Sequence, residues 1–216
     1  MTEKTSASKE NFFKQNKLVL LTLVVVFLIG GFVYFIDNSA QVFVKQSASG
    51  QAYTGKAAIG GSFTMTDQNG QVFTEKNLLG SPTMMFFGFT HCPDICPTTL
   101  SIMTQVMEDL PQKLSDRMKV VFVTVDPARD KPEVMKEYLA NFDSKYIGLS
   151  GTDEQLRDMS KKYLVYYAKN AESDPQYYLM DHSAYIYLFD DNGEYVTHFS
   201  HKMTPDAISA KVQQAL

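Results

Sequence analysis

The sequence predicts an α/β fold in which helices flank a sheet with a buried, parallel centre. Three observations predict it. Residues 83–89 and 119–125 are continuous apolar runs of strand length, as expected for strands covered on both faces. Between them Leu100, Met103, Met107 and Leu110 recur at helical spacing, so strand, helix and strand form a right-handed βαβ unit. Finally, Asp67-Gln68-Asn69-Gly70 and Asp190-Asp191-Asn192-Gly193 sit between alternating segments, the pattern of two hairpins placed before and after that unit.

Residues 18–36 carry no charge and are long enough to cross a bilayer as one helix. Lys4, Lys9, Lys14 and Lys17 precede the run and Asp37 comes directly after it, so the positive-inside rule keeps residues 1–17 cytoplasmic and exports the chain from Asp37 onward. A cleaved signal peptide is the competing reading. It would have a shorter apolar region, and Ser39-Ala40 lacks an A-x-A pattern. Residues 37–58 are rich in Ser, Ala, Gln and Gly and read as a linker.

The folded domain is expected over 59–216. It opens with the hairpin of 62–66 and 71–74, then reaches the first buried strand. Pro97 suits the first position of the next helix. After the second buried strand come helices over 132–142 and 153–163, the latter with Thr152 as cap. Residues 165–168 read as a short strand and 169–176 as a polar insertion. The hairpin of 183–189 and 195–199 leads into a final helix that Thr204-Pro205 opens in the manner of a cap and first-turn proline. This order is that of a thioredoxin-like α/β sandwich with an added N-terminal β-hairpin, preceded by one transmembrane helix.

The whole chain has a net charge of −4 and is 44% hydrophobic and 12% aromatic, enough for one substantial core. Beyond residue 36 it holds 16 Lys and Arg against 22 Asp and Glu, a net charge of −6. That balance argues against a nucleic-acid-binding surface, which would be basic.

The chemistry concentrates at Cys92 and Cys96, the only two cysteines, where the first buried strand ends and a helix begins. Thiolates serve both metal binding and redox exchange. Pro93 and Pro97 stiffen the loop, and the helix start should lower at least one thiol pKa. In an open α/β sheet, functional loops gather beyond the carboxyl ends of the parallel strands. If 183–189 runs antiparallel beside them, its start lies at the same edge, and the residue just before it is His182. Two thiolates and an imidazole suit Cu(I) or Cu(II), or zinc with a fourth ligand.

Four segments together resemble the Sco/SenC family: 87–97 (Phe-Gly-Phe-Thr-His-Cys-Pro-Asp-Ile-Cys-Pro), 125–130 (Val-Asp-Pro-Ala-Arg-Asp), 165–169 (Val-Tyr-Tyr-Ala-Lys) and 178–183 (Tyr-Leu-Met-Asp-His-Ser). The resemblance covers roughly residues 58–216. It implies a membrane-tethered copper chaperone of thioredoxin-like fold that helps assemble the binuclear copper centre of cytochrome c oxidase. The implied copper ligands are Cys92, Cys96 and His182. The implied partners are the oxidase's copper-bearing subunit and an upstream copper chaperone or thiol reductant. Thioredoxins carry a cis-proline near this position, whereas Asp181-His182-Ser183 has none. Asn192-Gly193 replaces the proline-glycine turn usual in the family, a change in the scaffold.

Other readings stand beside this one. Cys92 and Cys96 could work as a thiol-disulfide oxidoreductase pair, with Cys92 attacking and Cys96 resolving, which would make the protein an enzyme rather than a carrier. They could also form a disulfide, since exported thiols meet an oxidising compartment. His91 either tunes the thiols or is a solvated loop residue. His198 and His201, three apart on a strand, do not share a face and read as surface. Met84, Met85, Met103 and Met107 read as core. Asp94, Asp126 and Asp130 either order the site or, for the last two, cap the next helix.

Overall fold

The computed structural model describes Phe27, Leu28, Gly30 and Phe32, residues 59–171 and residues 177–216. The chain divides into two units, Met1–Gly55 and Lys56–Leu216. The expected tail, anchor and linker lie outside the described residues except for those four, which are helical. Among the described residues no helix is long and apolar enough to cross a membrane.

The second unit runs β1 (Thr64–Asp67), β2 (Val72–Thr74), β3 (Thr83–Gly88), α1 (Ile95–Asp109), α2 (Gln112–Ser115), β4 (Lys119–Thr124), α3 (Pro132–Leu139), β5 (Ile147–Ser150), α4 (Asp153–Lys162), β6 (Tyr167–Lys169), β7 (Met180–His182), β8 (Tyr185–Phe189), β9 (Tyr195–Ser200) and α5 (Pro205–Ala215). Among the described residues seven strands form one sheet in the order β2-β1-β5-β4-β3-β8-β9, and β6 pairs with β7 in a separate two-stranded sheet. The expected βαβ unit is present: β3 and β4 are parallel from Thr83↔Lys119 to Gly88↔Thr124. β8 runs antiparallel to β3, with Thr83 opposite Phe189 and Phe86 opposite Ile186, so the start of β8 lies at the carboxyl end of β3.

The residues explain these elements. All six positions of β3 are buried, which is why its sequence shows no polar alternation. The side chains of β3 and β4 split between two cores. Phe86 and Phe122 meet on the face that carries Tyr138 of α3. Phe87 points the other way, onto Tyr163 and Tyr187. Thr152 caps α4 reciprocally with Gln155. Thr204 and Pro205 stand at the cap and first-turn positions of α5 as the sequence predicts, although the Thr204 side chain makes no capping hydrogen bond.

Several features depart from the sequence reading. The first is β5, which is four residues long and contains Gly148, a residue that weakens any strand signal. A side chain there would meet Leu139 at 2.8 Å and Met135 at 3.1 Å, so only glycine lets α3 pack this closely. α1 starts at Ile95, two residues before Pro97; proline is tolerated anywhere in a first turn, where its missing N–H has no helical partner. The N-terminal hairpin is an integral part of the main sheet, because β1 pairs with β5 at Thr66↔Ser150. His182 lies within β7 rather than in the loop before β8.

α4 ends with Leu164 in the left-handed region, at φ 53°, beyond the helix cap Tyr163. Val165 N–H then closes onto the Ser160 carbonyl at 2.9 Å. This is the backbone path that glycine usually takes after a helix.

Candidate metal centre

Cys92 sits in the loop after β3, half-buried, and Cys96 lies in the first turn of α1 with no exposed surface. Both are free thiols. The Cys96 N–H donates to Cys92 Sγ at 3.4 Å, so the helix start directs an amide at the outer sulfur. His182 Nε2 stands 3.6 Å from Cys96 Sγ, across 86 positions of sequence. The imidazole is held edge-on between Phe86 and Phe89, each ring centroid 6.0 Å away. Its Nδ1 faces the Ser183 carbonyl at 3.3 Å. The structure therefore brings all three sequence-predicted donors to one sheet edge. Among the described residues no three His, Cys, Asp or Glu side chains form a ready cation cage, and these donors meet through hydrogen bonds.

The two sulfurs are electrostatically unlike. The Cys96 side chain donates to Cys92, and His182 with the Asp94 and Cys96 amides adds to this, so the Cys92 thiol falls from 9.0 to about 4 despite partial burial. Cys96 moves the other way: as donor to the Cys92 thiolate, and buried beside its charge, it holds its proton well above the ordinary thiol range. One sulfur is thus an accessible thiolate and the other a buried thiol. Cys92 lines a cleft of about 440 Å³ whose other walls include Phe89, Ile95, Tyr166, Leu179 and His182, and Cys96 lies buried behind it.

The loop that carries Cys92 is fixed from beneath. Asp130, fully buried, accepts from Thr90 N–H at 3.0 Å, Thr90 Oγ1 at 2.6 Å and Thr124 Oγ1 at 2.6 Å. α3 is preceded by Lys131 and has no side-chain cap, so Asp130 orders the site loop rather than capping that helix. Asp126 instead accepts from Arg129 and from Tyr178 Oη. Asp94 stands at the start of α1 and accepts from Thr98 Oγ1 at 3.4 Å.

The remaining histidines stay apart from the sulfurs. His91 Nδ1 meets Thr90 Oγ1 at 3.0 Å and lies 3.7 Å from Asp130, with half its side chain exposed. His198 bonds Tyr195 Oη at 2.5 Å, whereas His201 Nδ1 donates to the Ala184 carbonyl at 3.0 Å, so the pair shares no site. Met84, Met85 and Met103 are fully buried and Met107 packs against the same core. The sequence reading misses Tyr178. The signal that could have found it is the pairing of an Asp-x-x-Arg loop with a tyrosine four residues before the histidine.

A thioredoxin-like fold with a thiolate, a buried thiol and a distal imidazole at the carboxyl edge of its parallel strands defines a protein of thiol-based metal or redox chemistry. The SCO1/SenC family model matches residues 51–216, and the chain belongs to that family. It is 42% identical over 189 residues to a SCO2-like protein of Rickettsia prowazekii, covering 86% of this chain and 91% of that one. Among solved structures it resembles ScoI of Bradyrhizobium japonicum with copper bound, at 43% identity and TM-score 0.67, covering 74% of this chain and 100% of that one. It also resembles yeast Sco1 with copper bound, at 39% identity and TM-score 0.68, covering 73% of this chain and 87% of that one.

Proposed function

We propose that this protein is a membrane-anchored copper chaperone that holds one copper ion between Cys92, Cys96 and His182 and hands it to the copper-bearing subunit of cytochrome c oxidase. The observation that carries this reading is the approach of His182 Nε2 to Cys96 Sγ at 3.6 Å, at the same edge as the Cys92 thiolate. Two donors sharing one first-row ion through bonds of about 2.3 and 2.1 Å, at tetrahedral to trigonal angles, stand about 3.6–3.8 Å apart. The donor set fits as well: soft thiolates favour Cu(I), and the imidazole extends the site to Cu(II). The copper-bound relatives support the same assignment.

Cys92, partly exposed, is the ligand an acceptor reaches first; Cys96 and His182, packed among aromatic rings, hold on last. Release is then stepwise ligand exchange and needs no turnover. Copper binding requires Cys96 to release its proton to solvent, because His182 Nε2, the atom that faces Cys96 Sγ, keeps its lone pair for the metal. The anchor at 18–36, the cytoplasmic tail at 1–17, the linker at 37–58 and the exported domain from 59 belong to this proposal, as does supply by an upstream copper chaperone or reductant.

The unlike sulfurs favour a second reading, a thiol-disulfide oxidoreductase. The Cys92 thiolate would attack a substrate disulfide and expel one substrate thiolate. Cys96 would then attack Cys92 Sγ, losing its proton to His182, and release the second thiolate with the protein left as a disulfide. Cells lacking the protein test the first reading. Wild type should restore oxidase activity in membranes, and Cys92→Ser and Cys96→Ser should not. Restoration by the double serine variant would sink both readings.

A further inference from the structure

Among the described residues β6 and β7 pair with each other as an arm separate from the seven-stranded sheet. His182 is the last residue of that arm, opposite Tyr167. Its position relative to the sulfurs is therefore set by whatever ties the arm to the body. One tie lies beside His182: Ser183 N–H donates to the Tyr166 carbonyl at 2.9 Å, and Tyr166 N–H donates back to Ser183 Oγ at 3.1 Å. This pair joins the two strands of the arm to each other and makes no polar tie to the body, against which Tyr167 and Met180 pack and where Phe86 and Phe89 flank the imidazole.

The other tie reaches the loop after β4. Arg129 Nη2 donates to the Tyr178 carbonyl at 2.9 Å, and Tyr178 Oη donates to Asp126 Oδ1 at 2.9 Å. Arg129 Nε closes the ring on Asp126 Oδ2. The guanidinium also lies 3.7 Å over the Tyr178 ring, and Lys169 Nζ of β6 lies at the same distance from that ring. The Asp126 side chain is only 4% exposed and that of Arg129 20%, so the pair is withdrawn from water. A buried ion pair contributes little net stability, but it fixes geometry sharply. Here a carboxylate oxygen and a guanidinium nitrogen of the pair are both aimed at one residue, four positions before His182.

We infer that Asp126, Arg129 and Tyr178 form a positioning clamp that holds the His182 arm against the cysteine loop. On the copper reading above, on which this part rests, the clamp sets how long copper stays bound. β7 runs extended from Met180 to His182, so the chain transmits the clamp's position to the imidazole with little slack.

The test uses the purified full chain carrying Tyr178→Phe or Arg129→Lys, each alone and with His182→Ala. Both substitutions keep the bulk of the side chain, so folding is retained. In metal-free protein, amide hydrogen exchange at Met180, Asp181, His182 and Ser183 should quicken about tenfold while β3 and β4 amides stay unchanged. Loss of Cu(I) to excess chelator should quicken by a similar factor, and the clamp substitutions should add nothing once His182 is alanine. Unchanged exchange overturns the inference. So does faster exchange without faster copper loss, or equal acceleration in the His182→Ala background, which would mark a general structural effect. A wild-type chain that binds no copper removes the copper reading alone, and the exchange result still decides the clamp.

Discussion

Gly88→Ala probes how tightly the buried sulfur is built in. Gly88 ends β3 and pairs with Thr124 of β4, so its backbone is fixed by the sheet. A methyl group there would stand 2.8 Å from Cys96 Sγ, 2.8 Å from Phe122 Cε2 and 3.0 Å from Phe86 Cε1. Ordinary carbon contacts need about 3.5–4.0 Å, so something must move by about 0.7 Å or more. Phe86 and Phe122 are fully buried and cannot turn away. Cys96, in the first turn of α1, is the group that must yield, and it is 3.6 Å from His182. Without the clash, alanine in a strand would stabilise by about 0.5–1 kcal/mol relative to glycine. Overpacking of this kind instead costs about 1–3 kcal/mol, which for a domain of this size lowers Tm by about 3–10 °C. Calorimetry measures the first effect, and Cu(I) competition measures the accompanying loss of affinity. A variant as stable as wild type with unchanged copper affinity would refute the reasoning, because both effects stem from one crowded sulfur.

Four further outcomes are expected. Alkylation of Cys92 by iodoacetamide should stay fast from pH 8 down to about pH 5, since its thiol titrates at about 4, while Cys96 stays unreactive. The same shift makes the reduced fold bind fewer protons than the unfolded chain between about pH 4 and the ordinary thiol value of 9.0. Stability of wild type over Cys92→Ala in urea should therefore grow as pH rises through that window and vanish as pH falls through 4; a gap that shrinks with rising pH would contradict this. Asp130→Ala leaves the buried Thr124 hydroxyl and the half-buried Thr90 hydroxyl and amide without their acceptor, and should cost about 3–4 kcal/mol in urea unfolding. A cost below about 1 kcal/mol would mean that another group takes over. Leu164→Gly removes left-handed strain of about 1–2 kcal/mol, offset by about 0.4–1 kcal/mol of unfolded-chain entropy, at an exposed position. A net gain of about 0.5–1 kcal/mol should appear as a higher urea midpoint, and a lower midpoint would contradict it.

Much of this architecture is legible in the sequence where burial is complete. The runs at 83–89 and 119–125 announce central strands because both faces are covered, and the antiparallel placement of β8 beside β3 comes from topology. Cys92, Cys96 and His182 are brought to one edge by those same rules. The elements that escape are short or set by tertiary contact. β5 hides behind Gly148, a residue suited to the close approach of α3. β7 (Met-Asp-His) is too short and too exposed to show alternation. Asp126 and Asp130 look interchangeable as letters, and only the fold gives one to the arm of His182 and the other to the loop of Cys92.

Copper binding to the reduced full chain, compared between wild type and His182→Ala, bears most directly on the central claim. Absorption and electron paramagnetic resonance report Cu(II), and chelator competition reports Cu(I). The account predicts one tightly bound copper with sulfur-to-metal charge transfer, weakened about tenfold or more by the substitution. Absence of tight copper, or copper held equally well without His182, would contradict it.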